Sequence, residues 1–289
     1  MLLAFKLKLA LAAAAIAGPI GATAVIPSPV TPASELVEIA PAAFSYRLPG
    51  DFWQDRRQVP GPLQTMHLSE PLAIMKHQVT VREYGGCVDD GACPKLSVPE
   101  GRDDVPMVGI NWHDAIAYAD WMTRKTGRTH RLPTDKEWTL AAAEKKSDEA
   151  FAPVDPADRA QAWITRYEAE ANRSKPDAHG ARPTGTFGAN SNGLLDLAGN
   201  VWEWTGTCFV RATIDTEQVR VTNTNCGVRV VAGAHRSYMT DFIRDPRNGG
   251  CAAGVPPANL GFRLVVEPRP SVVATAIRVL QTLRENLRA

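Results

Sequence analysis

The chain has 289 residues, room for one large or two small domains, and its charges almost cancel, 32 Lys+Arg against 31 Asp+Glu. That balance leaves out the basic footprint a nucleic-acid surface needs, so no nucleic-acid partner is expected. Aromatics are 7 % of the chain with seven Trp, and Gly and Pro number 22 each. Such usage predicts a loop-heavy globule rather than a helical bundle.

Lys6 and Lys8 open the chain, Leu9 to Ala17 is apolar, and Ala22-Thr23-Ala24 has the small-residue pattern of a signal-peptidase site. The apolar run is shorter than the ~20 residues that cross a bilayer. A signal peptide over 1–24, cleaved after Ala24, is therefore expected, with an uncleaved anchor as the alternative. The mature chain would carry no transmembrane span and would be periplasmic or secreted. Residues 25–43 read as a Pro-rich linker. A single domain follows over 44–268, without a compositional break or internal repeat. The tail, 269–289, spaces Val272, Ile277, Val279, Leu280, Leu283 and Leu287 as an amphipathic helix does.

Within the domain, Leu72 to Met75 reads as a short strand. Thr80-Val81-Arg82-Glu83 then has the Thr-x-x-Glu spacing that closes a helix N-terminus reciprocally. Asn111 caps a helix from Trp112 to Thr126 that stops at Gly127, with Ile116, Tyr118, Trp121 and Met122 on its core side. Thr134-Asp135-Lys136-Glu137 repeats the capping device and opens the run from Trp138 to Lys146. Val228 to Val231 and Phe262 to Val266 read as further short strands.

Export gives the five cysteines meaning. Cys87 and Cys93 flank a polar, Gly-containing turn suited to a small disulfide loop, with two free thiols as the alternative. Cys208, Cys226 and Cys251 allow one bridge more, and Cys208–Cys226 is the pair favoured. Cys251 is then either inert or the one reactive sulfur. The segment Gly193-Leu-Leu-Asp-Leu-Ala-Gly-Asn-Val-Trp-Glu-Trp204 fits neither a plain helix nor a strand. Asn200 and Glu203 place hard oxygens one turn apart between Trp walls, as an ordered turn able to hold a cation would. Hydrogen bonding of both side chains to the loop backbone is the alternative.

These segments carry a resemblance. Arg131-Leu132-Pro133-Thr134-Asp135-Lys136-Glu137-Trp138 with Ala141-Ala142-Ala143 resembles the R-L-P-T-E-x-E-W-E-x-A-A signature of the formylglycine-generating enzyme, or sulfatase-modifying factor, family. Gly193 to Trp204 is similar to its G-L-x-D-x-x-G-N-V-W-E-W, and Asn259-Leu260-Gly261-Phe262-Arg263 to its N-x-G-F-R. Val79-Thr80 with Tyr84 resembles its opening E-V-T-x-x-x-Y, with Gln78 in place of the Glu. The fold this implies is mixed α+β and loop-rich, the sulfatase-modifying-factor variant of the C-type-lectin-like fold. The resemblance also implies a calcium ion at the turn, with Asn200 and Glu203 as side-chain ligands and the carbonyls of Gly199 and Val201 nearby. A second calcium site would fall on Asn172 and Asp177.

The family makes formylglycine with Cu(I) held by two cysteines. The stretch that corresponds, Gly233 to Arg244, contains none, and one thiolate at Cys251 cannot build a two-thiolate site. Copper is therefore not expected. Iron finds no His-x-Asp/Glu pair to support it, although scattered ligands stay open. His235 is the candidate acid/base or ligand, and Tyr238 and Arg244 are candidates to position substrate; an ordinary hydrogen-bonded loop His is the alternative for His235. The expectation is an exported, monomeric maturation factor, of oxidoreductase type if catalytic, acting on a protein or peptide-derived substrate. A non-catalytic, calcium-stabilised binding module and a true sulfatase-activating oxidase are the alternatives.

Overall fold

Each helix begins where its cap demands. Thr80 accepts from the Glu83 amide while Glu83 accepts from the Thr80 amide, opening α1 (Val81–Asp89). Asn111 and Asp114 form the same reciprocal pair for α2 (Trp112–Thr126), which ends at Gly127 with φ +67°, the left-handed geometry glycine adopts freely. Thr134 and Glu137 open α3 (Asp135–Ala142). A single 3-10 turn over Ala143–Lys145 completes the run expected to reach Lys146.

These elements belong to a computed structural model that describes residues 34–97, 101–146, 180–216, 218–244 and 259–268. The signal peptide, Asn172, Asp177, Cys251 and the C-terminal amphipathic segment lie outside the described residues. The linker expected over 25–43 ends earlier than its composition suggested. Leu36–Ile39 forms strand β1, whose Ile39 is buried. The chain then runs into β2 (Ala42–Arg47). Prolines at 27, 29, 32 and 41 mark the expected linker, but Leu36 and Val37 find antiparallel partners in Met75 and Ile74 of the strand Leu72–Met75.

The strands β3 (Asp51–Gln54), β4 (Arg57–Val59), β5 (Leu63–Leu68), β6 (Leu72–Met75) and β7 (His130–Arg131) precede a long hairpin, β8 (Trp202–Asp215) with β9 (Gln218–Ala232). β10 (Arg236–Thr240), β11 (Leu260–Gly261) and β12 (Val265–Val266) follow. One sheet runs β1-β6-β12-β7, a second β10-β9-β8-β3-β4 with β11 parallel to β8, and β2 pairs with β5. Hairpin strands of 14 and 15 residues contradict the expectation of uniformly short strands. From Gln218 to Gly227 nearly every residue is exposed, and after the short alternation Gln218 to Val221 the run Thr222 to Asn225 is wholly polar, with no apolar period to mark a strand.

The main core gathers Tyr84, Tyr118, Trp121, Trp202, Trp204 and Phe262, with Tyr84 and Tyr118 stacked at 5.9 Å. Tyr118, Trp121 and Met122 are buried and Ile116 packs beside them, as the helix pattern predicts. A second core under α3 joins Ile39, Leu72, Ile74, Trp138, Leu194 and Val265. Both expected disulfides are formed, Cys87–Cys93 with Cα atoms 5.3 Å apart and Cys208–Cys226 at 4.5 Å.

Candidate functional site

The four sequence signatures converge on one carboxylate. Glu203, at 0 % exposure, accepts from Gln78 Nε2 and Arg263 Nη2 on Oε1, both at 2.7 Å. Its Oε2 accepts from Arg263 Nε at 2.7 Å and Trp138 Nε1 at 2.9 Å. Arg263, also fully buried, donates in addition to the carbonyls of Met75, Lys76 and Leu195. A buried carboxylate is tolerable only when paired and saturated with donors, and here both conditions hold. At position 78 an ionised Glu would set a second buried carboxylate against Glu203, whereas the amide of Gln78 donates to it.

Four donors use the four lone pairs of the carboxylate. Asn200 is partly engaged: its Oδ1 accepts from the Arg182 amide and its Nδ2 donates to the Arg182 carbonyl, each at 2.8 Å. As placed, Glu203 does not fit the role of a side-chain ligand to a hard cation, whereas an amide oxygen with one donor keeps a second lone pair. The side chain of Val201 packs on Val105 and Ala181, and a Cβ at Gly199 would lie 2.7 Å from the Phe187 ring.

Next to Glu203 in the chain, Trp202 supports the β9–β10 turn that lines a cleft through Gly233 and His235. Gly233 lies flat on the Trp202 ring, where a Cβ would come within 2.6 Å of Trp202 Cδ2. The turn from β9 to β10 can therefore descend only without a side chain at 233. It delivers His235 edge-on to Trp202, with centroids 4.4 Å apart and planes at 72°. His235 Nδ1 lies 3.0 Å from the Arg236 carbonyl, which suits a ring carrying its proton on Nδ1. The cleft is narrow, about 10 Å3, and is also lined by Asp135, Trp138, Thr139, Lys146 and Arg236.

Asp135 and Arg236, 101 residues apart, form a buried ion pair: Nε to Oδ1 at 3.0 Å and Nη2 to Oδ2 at 2.7 Å. Tyr46 donates to Asp135 Oδ2 at 2.7 Å, and Arg236 sits over the Tyr46 ring. Burial, then the Asp135 charge, pushes the Tyr46 hydroxyl well above the ordinary tyrosine range. Burial alone would lower Arg236, but Asp135 outweighs it and the net direction is upward.

The three candidate residues of the Gly233–Arg244 stretch have separate surroundings. His235 lines the cleft. Tyr238 is buried, packs edge-on against Phe209, and exchanges hydrogen bonds with the Gly50 amide and carbonyl. Burial raises its hydroxyl to about 12. Arg244 clamps Asp114, the acidic cap residue of α2, through Nε at 3.0 Å and Nη2 at 2.8 Å. Tyr238 and Arg244 thus tie β10 and its exit to the scaffold. The cleft partners Asp135 and Arg236 were missed as a pair; the charge of Asp135 directly after the Thr134 cap was the signal that could have found one of them. Among the described residues no three His, Cys, Asp or Glu side chains come together.

A loop-rich α+β domain, braced by a buried Glu–Arg pair and opening on a His-lined cleft, is the class this geometry defines. The Sulfatase-modifying factor enzyme 1-like domain family matches residues 22–268, most of the chain, and the protein belongs to it. It is similar to the formylglycine-generating enzymes of Streptomyces coelicolor, 32 % identical over 178 residues (56 % of this chain, 53 % of that protein), and Mycobacterium tuberculosis, 38 % over 131 (41 % and 40 %). It is also similar to the mouse protein named "Inactive C-alpha-formylglycine-generating enzyme 2", 32 % identical over 124 residues (40 % and 37 %). The chain thus spans about half or less of the length of these curated relatives. PvdO from Pseudomonas aeruginosa shares the fold, with a TM-score of 0.51 at 19 % identity over 81 % of this chain and 94 % of that one. The fold is the sulfatase-modifying-factor variant of the C-type-lectin-like architecture.

Proposed function

We propose that the protein is an exported maturation factor of this family that acts on a protein or peptide-derived substrate at the His235 cleft, without a two-thiolate copper centre. The sulfur inventory carries this reading. Of five cysteines, four are consumed in Cys87–Cys93 and Cys208–Cys226. Only Cys251 remains, so a second thiolate would require opening a disulfide. His235 is the titratable side chain best placed for acid/base work, since its Nδ1 is held by a backbone carbonyl and the ring faces a cleft. Export rests on the basic-then-apolar N-terminus and on two disulfides, which persist in oxidising compartments. The protein substrate is transferred from the formylglycine-generating relatives.

Comparative mass spectrometry of exported proteins and peptides tests it. A modification present in the wild type should be lost on deletion and stay lost with His235→Ala. Full restoration by His235→Ala would remove that residue from the chemistry. The second reading, a binding module without turnover, is favoured by the similarity to a protein named inactive. It predicts an exported profile unchanged by deletion, with a partner recovered by crosslinking.

A further inference from the structure

The two disulfides have different surroundings. Cys87 and Cys93 belong to the main core and are buried. Cys226 lies on the exposed arm of β9, and its partner Cys208, on β8, is half-buried. Arg229 stands directly across the ladder from Cys208, and its Nη1 is 3.1 Å from Cys208 Sγ and 3.0 Å from the Gly206 carbonyl. The guanidinium is held from its face, 3.9 Å above the Trp112 ring. That ring is itself fixed, since Trp112 Nε1 donates to the Thr205 carbonyl at 3.1 Å. Asp241 is the carboxylate near enough to act on Arg229, and it lies 3.3 Å from His113 Nε2. An arginine keeps its charge inside a protein, so one sulfur of this bridge, Cys208, faces a permanent cation.

We propose that Cys208–Cys226 is a thiol–disulfide exchange site, with Cys226 the sulfur attacked and Cys208 the leaving group. A thiolate arriving from solvent forms a bond to Cys226 Sγ. The Cys208–Cys226 bond breaks, and its electron pair stays on Cys208 as a thiolate paired with Arg229. Exchange is faster the better the leaving thiolate is stabilised, and an adjacent Arg stabilises it. A partner with one thiol stops at the mixed disulfide on Cys226. In a partner with two, the second thiolate attacks the partner's own sulfur in that mixed disulfide and expels Cys226. The partner is then oxidised by two electrons to a disulfide, and Cys208 and Cys226 are reduced. Of the partner's two thiol protons, one ends on Cys226 and one in water. The site does not use His235 and goes beyond the function proposed above.

The test treats the purified, oxidised protein, with Cys251 first blocked by N-ethylmaleimide, with glutathione and, separately, with dithiothreitol. Samples are quenched in acid over time, and peptide mapping by mass locates each adduct and each freed thiol. Glutathione should be found on Cys226, with Cys208 free and Cys87–Cys93 intact. Dithiothreitol should free both Cys208 and Cys226 and leave no adduct. Arg229→Met removes the charge and should slow the glutathione reaction roughly fivefold, the loss expected of one unit charge near 4 Å in a water-like medium. Arg229→Lys keeps the charge and should keep most of the rate. Glutathione on Cys208, an even split between the two sulfurs, or a reaction no faster than at Cys87–Cys93 would overturn the proposal. So would an undiminished rate in an Arg229→Met variant with native circular dichroism. The adduct mapping uses the wild type, so it decides the matter even if Arg229→Met does not fold.

Discussion

Replacing Arg263 by Met keeps most of the side-chain volume and removes the cation facing Glu203. In the wild type that guanidinium makes two 2.7 Å contacts with the carboxylate and donates to three carbonyls between 3.0 and 3.2 Å. Both partners of the pair are 0 % exposed, so water cannot solvate the carboxylate left behind. Removing one member of such a pair costs about 3–5 kcal/mol. At about 2–4 °C per kcal/mol for a domain of this size, the melting temperature should fall by roughly 6–20 °C. Glu203→Gln alone should cost a comparable amount, since it strands Arg263. The double variant leaves no unpaired buried charge, so its loss should be smaller than the sum by about 0.5–3 kcal/mol. Urea unfolding followed by circular dichroism and Trp fluorescence gives all four corners of the cycle. An Arg263→Met loss below about 1 kcal/mol, or strict additivity in the double variant, would refute the girder.

Gly233→Ala drives a methyl to within 2.6 Å of the Trp202 ring and should cost about 1–3 kcal/mol, seen as a lower melt and altered Trp emission; an unchanged melt would mean the turn is slack. Tyr238, held at about 12 by burial, should resist ionisation in an ultraviolet titration until well above the unfolded value near 10. Because its folded value is raised, the stability it contributes is complete below about pH 10 and is lost as pH climbs towards 12; Tyr238→Phe should flatten that part of the stability–pH curve. Chelation should leave the melt within about 2 °C of the untreated protein, given that four protein donors fill the Glu203 carboxylate, and a large chelator-dependent drop would return the turn to calcium. Mild reductant should open Cys208–Cys226, whose Cys226 is exposed, before Cys87–Cys93, whose sulfurs are buried; thiol mapping by mass reads the order.

Local physics was legible in the chain. The three helix starts follow from caps whose partners lie three residues away, and the stop at Gly127 follows from one backbone conformation. Both disulfides were readable because the cysteines close short spans, 6 and 18 residues apart. The signatures also fixed the fold, since their order along the chain repeats that of a family. The exposed hairpin arm was not legible, because strands that bury neither face leave no hydrophobic period.

What the residues were for was decided only by tertiary packing. Asn200 and Glu203 supply oxygens at a spacing that suits a cation, and sequence cannot say which donors reach them first. In the folded chain Gln78, Trp138 and Arg263 arrive from 125, 65 and 60 residues away and take every lone pair of Glu203. Tyr238 and Arg244 turn to the scaffold, and Asp135 meets Arg236 across 101 residues. A side chain's chemistry is written in its type, but its partner is chosen by burial: once water is excluded, each charge must take the nearest counter-charge that packing provides. The sequence thus named the family and its braces, and the three-dimensional arrangement placed the cleft beside them.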